Sequence, residues 1–264
     1  MASTHTGIAY ADATWNPFVG CTPASAGCDN CYAAKAASRM AQNPVTAELY
    51  RGIAADNEWT GAVRPNPKAL LAPTTWRTPK RIMVASMFDP FHADVGICGL
   101  LDIWRVIEAA PRHTYMVLTK RAVSMETKMG LIRHAFAGYE EWPFPHAWMG
   151  VTVENQSALV RVAPLKRTPA AVRWLSIEPL LEDLGDIRDH LRGLDWVVIG
   201  CESGYPRRPC PLEWVRSIVA QCAEVGVACY VKQITHGGGV LDRLDQFPED
   251  LRIRQFPAVD PKGR

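Results

Sequence analysis

Cys21, Cys28 and Cys31 crowd into one short run, GCTPASAGCDNCYAAKAASRM, with spacing C-x6-C-x2-C. Three close thiolates call for a metal or an iron–sulfur cluster before any other use. Structural zinc takes four tetrahedral Cys or His ligands, commonly as two close pairs. Here the second pair is missing: Cys98, Cys201, Cys210, Cys222 and Cys229 are scattered, and His5 or His92 would have to complete the set. A cluster held by three thiolates suits the spacing better and leaves one iron open for a cofactor or substrate. Plain core packing is the third reading, but the polar, glycine-containing stretch 22–30 reads as loop.

A second group of reactive side chains follows a series of short apolar runs. The runs end in Ser86 and Asp89, Thr119-Lys120-Arg121, Thr152 and Glu154, Ser176 and Glu178, Cys201-Glu202, and Lys232-Gln233. Each group alone is ordinary loop polarity. Six in succession, each straight after a buried strand, point to a shared active face, because parallel strands of a barrel all open their C-terminal ends on one side.

The runs that must position these groups are RIMVAS (81–86), TYMVLT (114–119), AWMGVTV (147–153), VRWLSI (172–177), DWVVIG (195–200) and ACYVK (228–232). Near-continuous apolar strands imply a sheet buried on both faces. Helical spacing between them is clear at Ile97, Leu100, Leu101, Trp104 and Ile107, stopped by Pro111. It recurs at Val215, Ile218, Val219 and Cys222, entered at Pro211 and left at Gly226. Adding a short strand within 9–18, the pattern predicts an α/β fold, a partial or complete (β/α) TIM-type barrel of parallel strands, with a doubly wound sheet as the alternative. Cys222 and Cys229 are expected in the core, whereas Cys201 falls at a strand exit.

The chain's 264 residues suit one such domain over 1–264. The proline-rich segment 44–80 reads as an insertion with one short helix, and 234–264 as a loop and hairpin extension. A net charge of +2 gives no argument for nucleic acid by itself. Nothing approaches a membrane span or a secretory signal, so a reducing cytoplasm is expected.

With these motifs assembled, the chain resembles the radical S-adenosylmethionine superfamily, in its spore photoproduct lyase-like branch. GCDNCYA resembles the end of that branch's cluster loop. SMFDPFHAD resembles its T-D-P-Y segment, and VLTKR its T-K-S segment. VTVEN and SIEPLL occupy the next two strand exits. Together with VIGCESG and FPEDLRIRQFP, the pattern over about residues 8–256 is closer still to an uncharacterised phage-associated family of three-cysteine-motif proteins. The first cysteine gap departs from the superfamily's C-x3-C-x2-C, and Asn30 stands where an aromatic residue is usual.

The resemblance implies that Cys21, Cys28 and Cys31 hold a [4Fe–4S] cluster whose open iron binds S-adenosylmethionine. Its reductive cleavage gives a 5′-deoxyadenosyl radical that abstracts hydrogen from the substrate. Ser86 and Asp89 would contact the methionine end or shape its pocket. Lys120 and Glu154 would bind carboxylate and ribose, and Glu178 and Glu202 would lie nearer the substrate. The Cys201 thiol would return a hydrogen atom. A reductase or flavodoxin-type electron donor, a nucleic-acid base or nucleotide substrate and a companion protein encoded nearby are the expected partners. The competing expectation is a non-redox zinc module recognising nucleic acid or protein, with Arg161, Lys166, Arg167 and Arg173, or Arg207 and Arg208, on phosphates. A hydrolase using the acidic mouth is a third, though no nucleophile and base stand out as a pair.

Overall fold

The structure, a computed structural model, describes residues 2–4, 6–237 and 239–258. The apolar runs form the expected strands, β2 (Ala13–Trp15), β3 (Arg81–Val84), β4 (Thr114–Thr119), β5 (Ala147–Thr152), β6 (Val172–Ile177), β7 (Trp196–Gly200) and β8 (Ala228–His236), while an unexpected β1 (Ala2–Ser3) precedes them and β9 (Gly239–Leu241) belongs to the C-terminal hairpin. They lie in one sheet in the order in which they occur in the chain. β2 to β8 are all parallel, and the terminal β1 and β9 cap the two edges antiparallel. The chain is therefore an α/β protein built on a large, mostly parallel central sheet.

Six helices support the sheet and the cysteine loop: α1 (Tyr32–Gln42), α2 (Ile97–Ala109), α3 (Ala122–Ala135), α4 (Val162–Arg167), α5 (Arg188–Leu191) and α6 (Leu212–Val225). Helix α6 begins just after Pro211 and stops at Gly226, which takes the left-handed conformation at φ 73°. Leu100, Trp104, Met125, Leu165, Leu191 and Ile218 from α2 to α6 all join the same core as Ile82, Val117, Val151, Leu175 and Ile199 from the strands. Helices α2 to α6 thus cover one face of the sheet, not both as a doubly wound sheet requires.

Alternate strand residues point the other way. Met83, Met116, Trp148, Trp174, Trp196 and Tyr230 form a second core with one another and with Tyr10. The Tyr10 ring meets Trp174, Trp196 and Tyr230 edge-on at 5.5–6.3 Å, an arrangement favoured by the ring quadrupoles. At the strand starts, Phe256 stacks on Trp196, contacts Tyr230 and carries the Arg81 guanidinium 4.4 Å from its ring centroid. One ring thereby touches side chains of β3, β7 and β8 and closes the lower end of this core.

One stretch differs from expectation. Segment 44–80 holds three short helices, Ala47–Tyr50, Pro67–Leu70 and Ala72–Thr75, rather than one. It also has a ribbon pairing Ala54–Ala55 with Glu58–Trp59, and a strand Arg64–Pro65 paired with Phe18–Val19. Its frequent prolines hide any period, although Tyr50 and Ile53 are fully buried against α1. At the other end, residues 234–236 and 239–241 pair as a hairpin. Among the described residues, no helix is long and apolar enough to cross a membrane. Cys222 and Cys229 lie in the core.

Candidate functional site

The cysteine loop leaves the sheet after β2, makes a 3-10 turn at Ala26–Cys28 and enters α1 directly after Cys31. All three cysteines are free and half-buried, and all three line one cavity of about 530 Å³. That volume lies within the roughly 300–1,000 Å³ usual for small-molecule sites. The same cavity is lined by Ser86, Asp89, Lys120, Glu178, Cys201 and Glu202, each at a strand exit, with Lys232 and Gln233 beside them. Side chains from distant parts of the sequence thus meet the cysteine loop.

Their hydrogen bonds separate supporting groups from groups with capacity to spare. The Asp89 carboxylate accepts from the Thr119 hydroxyl at 2.7 Å, the Phe91 N–H at 2.9 Å and the Lys120 N–H at 3.2 Å, and pairs with Arg121 at 3.4 Å. It is filled by the protein, so of its two expected roles it shapes the pocket. Arg121, named at its strand exit but given no role there, carries that order onward: its guanidinium donates to the Thr22 carbonyl at 2.9 Å and to the Thr22 hydroxyl. Burial, then the Asp89 carboxylate, pushes the neighbouring Cys21 thiol up to about 12 against the pull of Arg121. Without a metal it stays protonated at neutral pH.

Ser86 follows Ala85, whose left-handed φ of 71° costs on the order of 1 kcal/mol for a residue with a Cβ. The turn is held by the Ala85 N–H donating to the Trp15 carbonyl at 3.1 Å, and by the Asn16 amide donating to the Ser86 hydroxyl at 3.0 Å. The Tyr32 hydroxyl donates to the Ser86 carbonyl at 3.3 Å, which ties the start of α1 to the same exit.

Glu154 does not line the cavity. It is fully buried and paired with Arg161 at 2.8 Å. Burial would raise its carboxyl, but Lys120, then Arg161, hold it below the usual carboxylate range. A Cβ on Gly27 would lie 3.1 Å from the Glu154 side chain, so Glu154 is a wall against which the cysteine loop packs. The expected contact with a ribose is replaced by this supporting one.

Glu202 is similarly occupied. It accepts from the Arg208 N–H at 2.9 Å, from the Arg208 side chain and from the Asn30 amide at 3.1 Å. Burial opposes the ionised form, yet Arg208 holds the carboxyl low. Glu178 pairs with Lys232 on the cavity wall, and the pair uses only part of each group's hydrogen-bonding capacity. Lys120 lines the cavity and makes no direct ion pair or side-chain hydrogen bond among the described residues, although its charge acts on Glu154 behind the wall. Cys201 is fully buried, and burial raises its pKa, so its S–H is retained.

The donor set can be tested against the groups the sequence suggested. No cluster of three or more His, Cys, Asp or Glu that could hold a metal ion occurs among the described residues. His92 does not complete a zinc set: its Nε2 lies 2.9 Å from the Thr22 hydroxyl, and its Nδ1 accepts from the Asp94 N–H at 3.2 Å. His5 lies outside the described residues. Cys21, Cys28 and Cys31 share one cavity wall but do not themselves count among such groups, and no fourth protein ligand stands beside them among the described residues.

The basic residues expected on phosphates are dispersed. Arg161 serves Glu154, Arg167 pairs with Glu126 at 2.6 Å, and Arg208 serves Glu202. Lys166 and Arg173 donate to the Asp189 and Thr168 carbonyls. Of these six, Arg207 alone is exposed without an ion-pair partner among the described residues.

The chain belongs to the DUF5131 family of proteins of unknown function, whose family model matches residues 5–245. No curated protein and no solved structure matches it.

Proposed function

We propose that this protein is a radical S-adenosylmethionine enzyme in which Cys21, Cys28 and Cys31 hold a [4Fe–4S] cluster open at one iron. The observation that carries the reading is the convergence of three free cysteines and the polar ends of successive parallel strands on one cavity. Held there, such a cluster would supply one-electron reduction of S-adenosylmethionine and so a source of 5′-deoxyadenosyl radical chemistry. The sheet is read as a partial TIM-type barrel, because Phe256 and Tyr10 bring side chains of non-adjacent strands together on its inner face. Barrel enzymes place their chemistry where these exits lie.

In this reading the chain's own groups divide the work. Lys120 offers its ammonium to the cofactor carboxylate. Asp89 and Arg121 fix the first half of the cysteine loop, and Tyr10, Met83 and Leu118 supply an apolar wall that excludes water. The Glu178–Lys232 pair faces the substrate, for which a nucleic-acid base or nucleotide is proposed. Cys201 holds its proton at Sγ, the form able to return a hydrogen atom. A flavodoxin-type or reductase donor in a reducing cytoplasm would supply the electron, and a companion protein is proposed alongside.

Protein purified anaerobically should be brown, carry about four irons per chain and convert S-adenosylmethionine to 5′-deoxyadenosine under reduction. Colourless, zinc-loaded protein that never cleaves the cofactor after reconstitution would sink the reading. Lys120→Met should weaken S-adenosylmethionine binding about tenfold, the scale of one charged hydrogen bond, and lower the melting temperature as well, because Lys120 also holds the buried Glu154 carboxylate ionised. Titration of the cofactor and a thermal melt of the variant check the two effects separately. Cys201→Ala should leave cofactor cleavage intact and change only the fate of the substrate radical. An unchanged product distribution would remove the donor role.

A further inference from the structure

Beside the cavity mouth, the loop after β7 crosses to the cysteine loop and meets it at several points. The Arg208 guanidinium donates to the Ala26 carbonyl at 2.8 Å and pairs with Asp29 at 3.2 Å while it grips Glu202. The Asn30 amide donates to Glu202 at 3.1 Å and to the Pro206 carbonyl at 2.9 Å. Lys35 on α1 donates to the Tyr205 carbonyl at 2.7 Å. A Cβ on Gly204 would come within 2.6 Å of the Asn30 carbonyl, so only glycine allows the two loops this close.

These contacts fall on the two places where the cysteine motif departs from the common superfamily pattern. The longer first gap builds the turn containing Ala26, whose carbonyl Arg208 takes. Asn30, in place of an aromatic residue, supplies the amide that Glu202 and Pro206 accept. We propose that residues 202–208 are a strap that sets the cysteine loop, with Arg208 and Asn30 as positioning residues for Cys28 and Cys31. The proposal rests on the reading of these cysteines as cluster ligands. Arg208 suits the task because its planar fork serves Glu202 and the turn at once, which a lysine cannot do.

The test uses the full-length, metal-free protein and, separately, the reconstituted one. In Arg208→Gln, and in Asn30→Ala, alkylation of Cys28 and Cys31 by a maleimide should speed up about tenfold, as expected when charge-assisted bonds leave a local opening equilibrium. Exposed Cys98 and buried Cys222 should label at wild-type rates. Arg208→Lys should not restore protection. The double variant should fall short of the product of the single effects, because both act through Glu202. In reconstituted protein, Arg208→Gln should yield iron to a chelator about tenfold more readily, the usual scale for an outer-shell partner. Labelling within twofold of wild type, or equal acceleration at Cys222, would overturn the strap. Wild-type protein that takes up no iron would sink the cluster reading and leave the labelling comparison standing.

Discussion

Serine in place of Cys28 should leave a folded chain that neither retains iron nor cleaves S-adenosylmethionine above background. An outer-shell change already costs 10–100-fold in metal affinity, so loss of a direct ligand should exceed about a hundredfold. Cys21→Ser is the more informative of the set, because Cys21 lies across the long gap from the other two. Its thiol is close enough to Asp89, Cys28 and Cys31 for all three to raise its pKa, which places it with them electrostatically as well as on the cavity wall. Iron content, the visible absorption of the cluster and 5′-deoxyadenosine yield are the three readouts. A Cys21→Ser protein that keeps all three would mean that a different group holds the third position. The half-buried setting of these cysteines lets folding and loading be separated for Cys21 and Cys28, whereas Cys31 also packs against the core beneath α1.

The largest expected effect on stability lies behind the site. Arg161→Leu should lower stability by about 3 kcal/mol, since it removes the closest partner of the fully buried Glu154 carboxylate and leaves Lys120 as its remaining counter-charge. In a chain of this size that is a fall of about 10 °C in melting temperature. The pH dependence has a definite sign. The folded-state pKa of Glu154 is lowered, so in the wild type its contribution is present above the unfolded value of about 4.3 and is lost as pH falls through the folded value. In the variant the carboxylate has lost its closest partner, so the gap between the two proteins should be widest near neutrality and close as pH drops towards 4. Thermal melts at several pH values check this. Glu154→Gln in the Arg161→Leu background should recover part of the loss. A pH-independent difference would mean that lost packing, not the stranded charge, is responsible.

Much of the framework was legible because buried parallel strands leave continuous apolar runs. TYMVLT and VRWLSI coincide with β4 and β6, and the other runs miss their strand ends by a few residues. Helix α6 was marked at both ends by Pro211 and Gly226. What escaped was structure without periodicity: the short helices and ribbons of 44–80, and the edge pairing of β1, only two residues long.

The site shows the same division. Strand-exit position correctly singled out Ser86, Asp89, Lys120, Glu178, Cys201 and Glu202 as cavity residues, because in a parallel sheet that position is set by topology. Whether each faces a ligand or another side chain depends on how the exit loops turn. Glu154 pairs with Arg161 and Glu202 with Arg208 inside their own exit segments, whereas Asp89 pairs with Arg121 from the next exit. A carboxylate and its arginine carry no mark of their pairing when no helical or strand period fixes the loop between them. Arg208 was visible only as a basic residue near Arg207, and Asn30 only as a departure from a motif.

The strap also sets an order of events in time. The cysteines emerge early in synthesis, whereas Glu202 and Arg208 follow five more strands of the sheet. Until those residues are made, the loop holding Cys28 and Cys31 lacks the strap and is held by its contacts to Glu154 and Ser86. A ribosome-stalled chain ending before residue 202 should therefore expose these two thiols to alkylation more readily than the full chain does. Ordering of the cysteine loop is a late step, completed only when the segment after β7 folds back onto it.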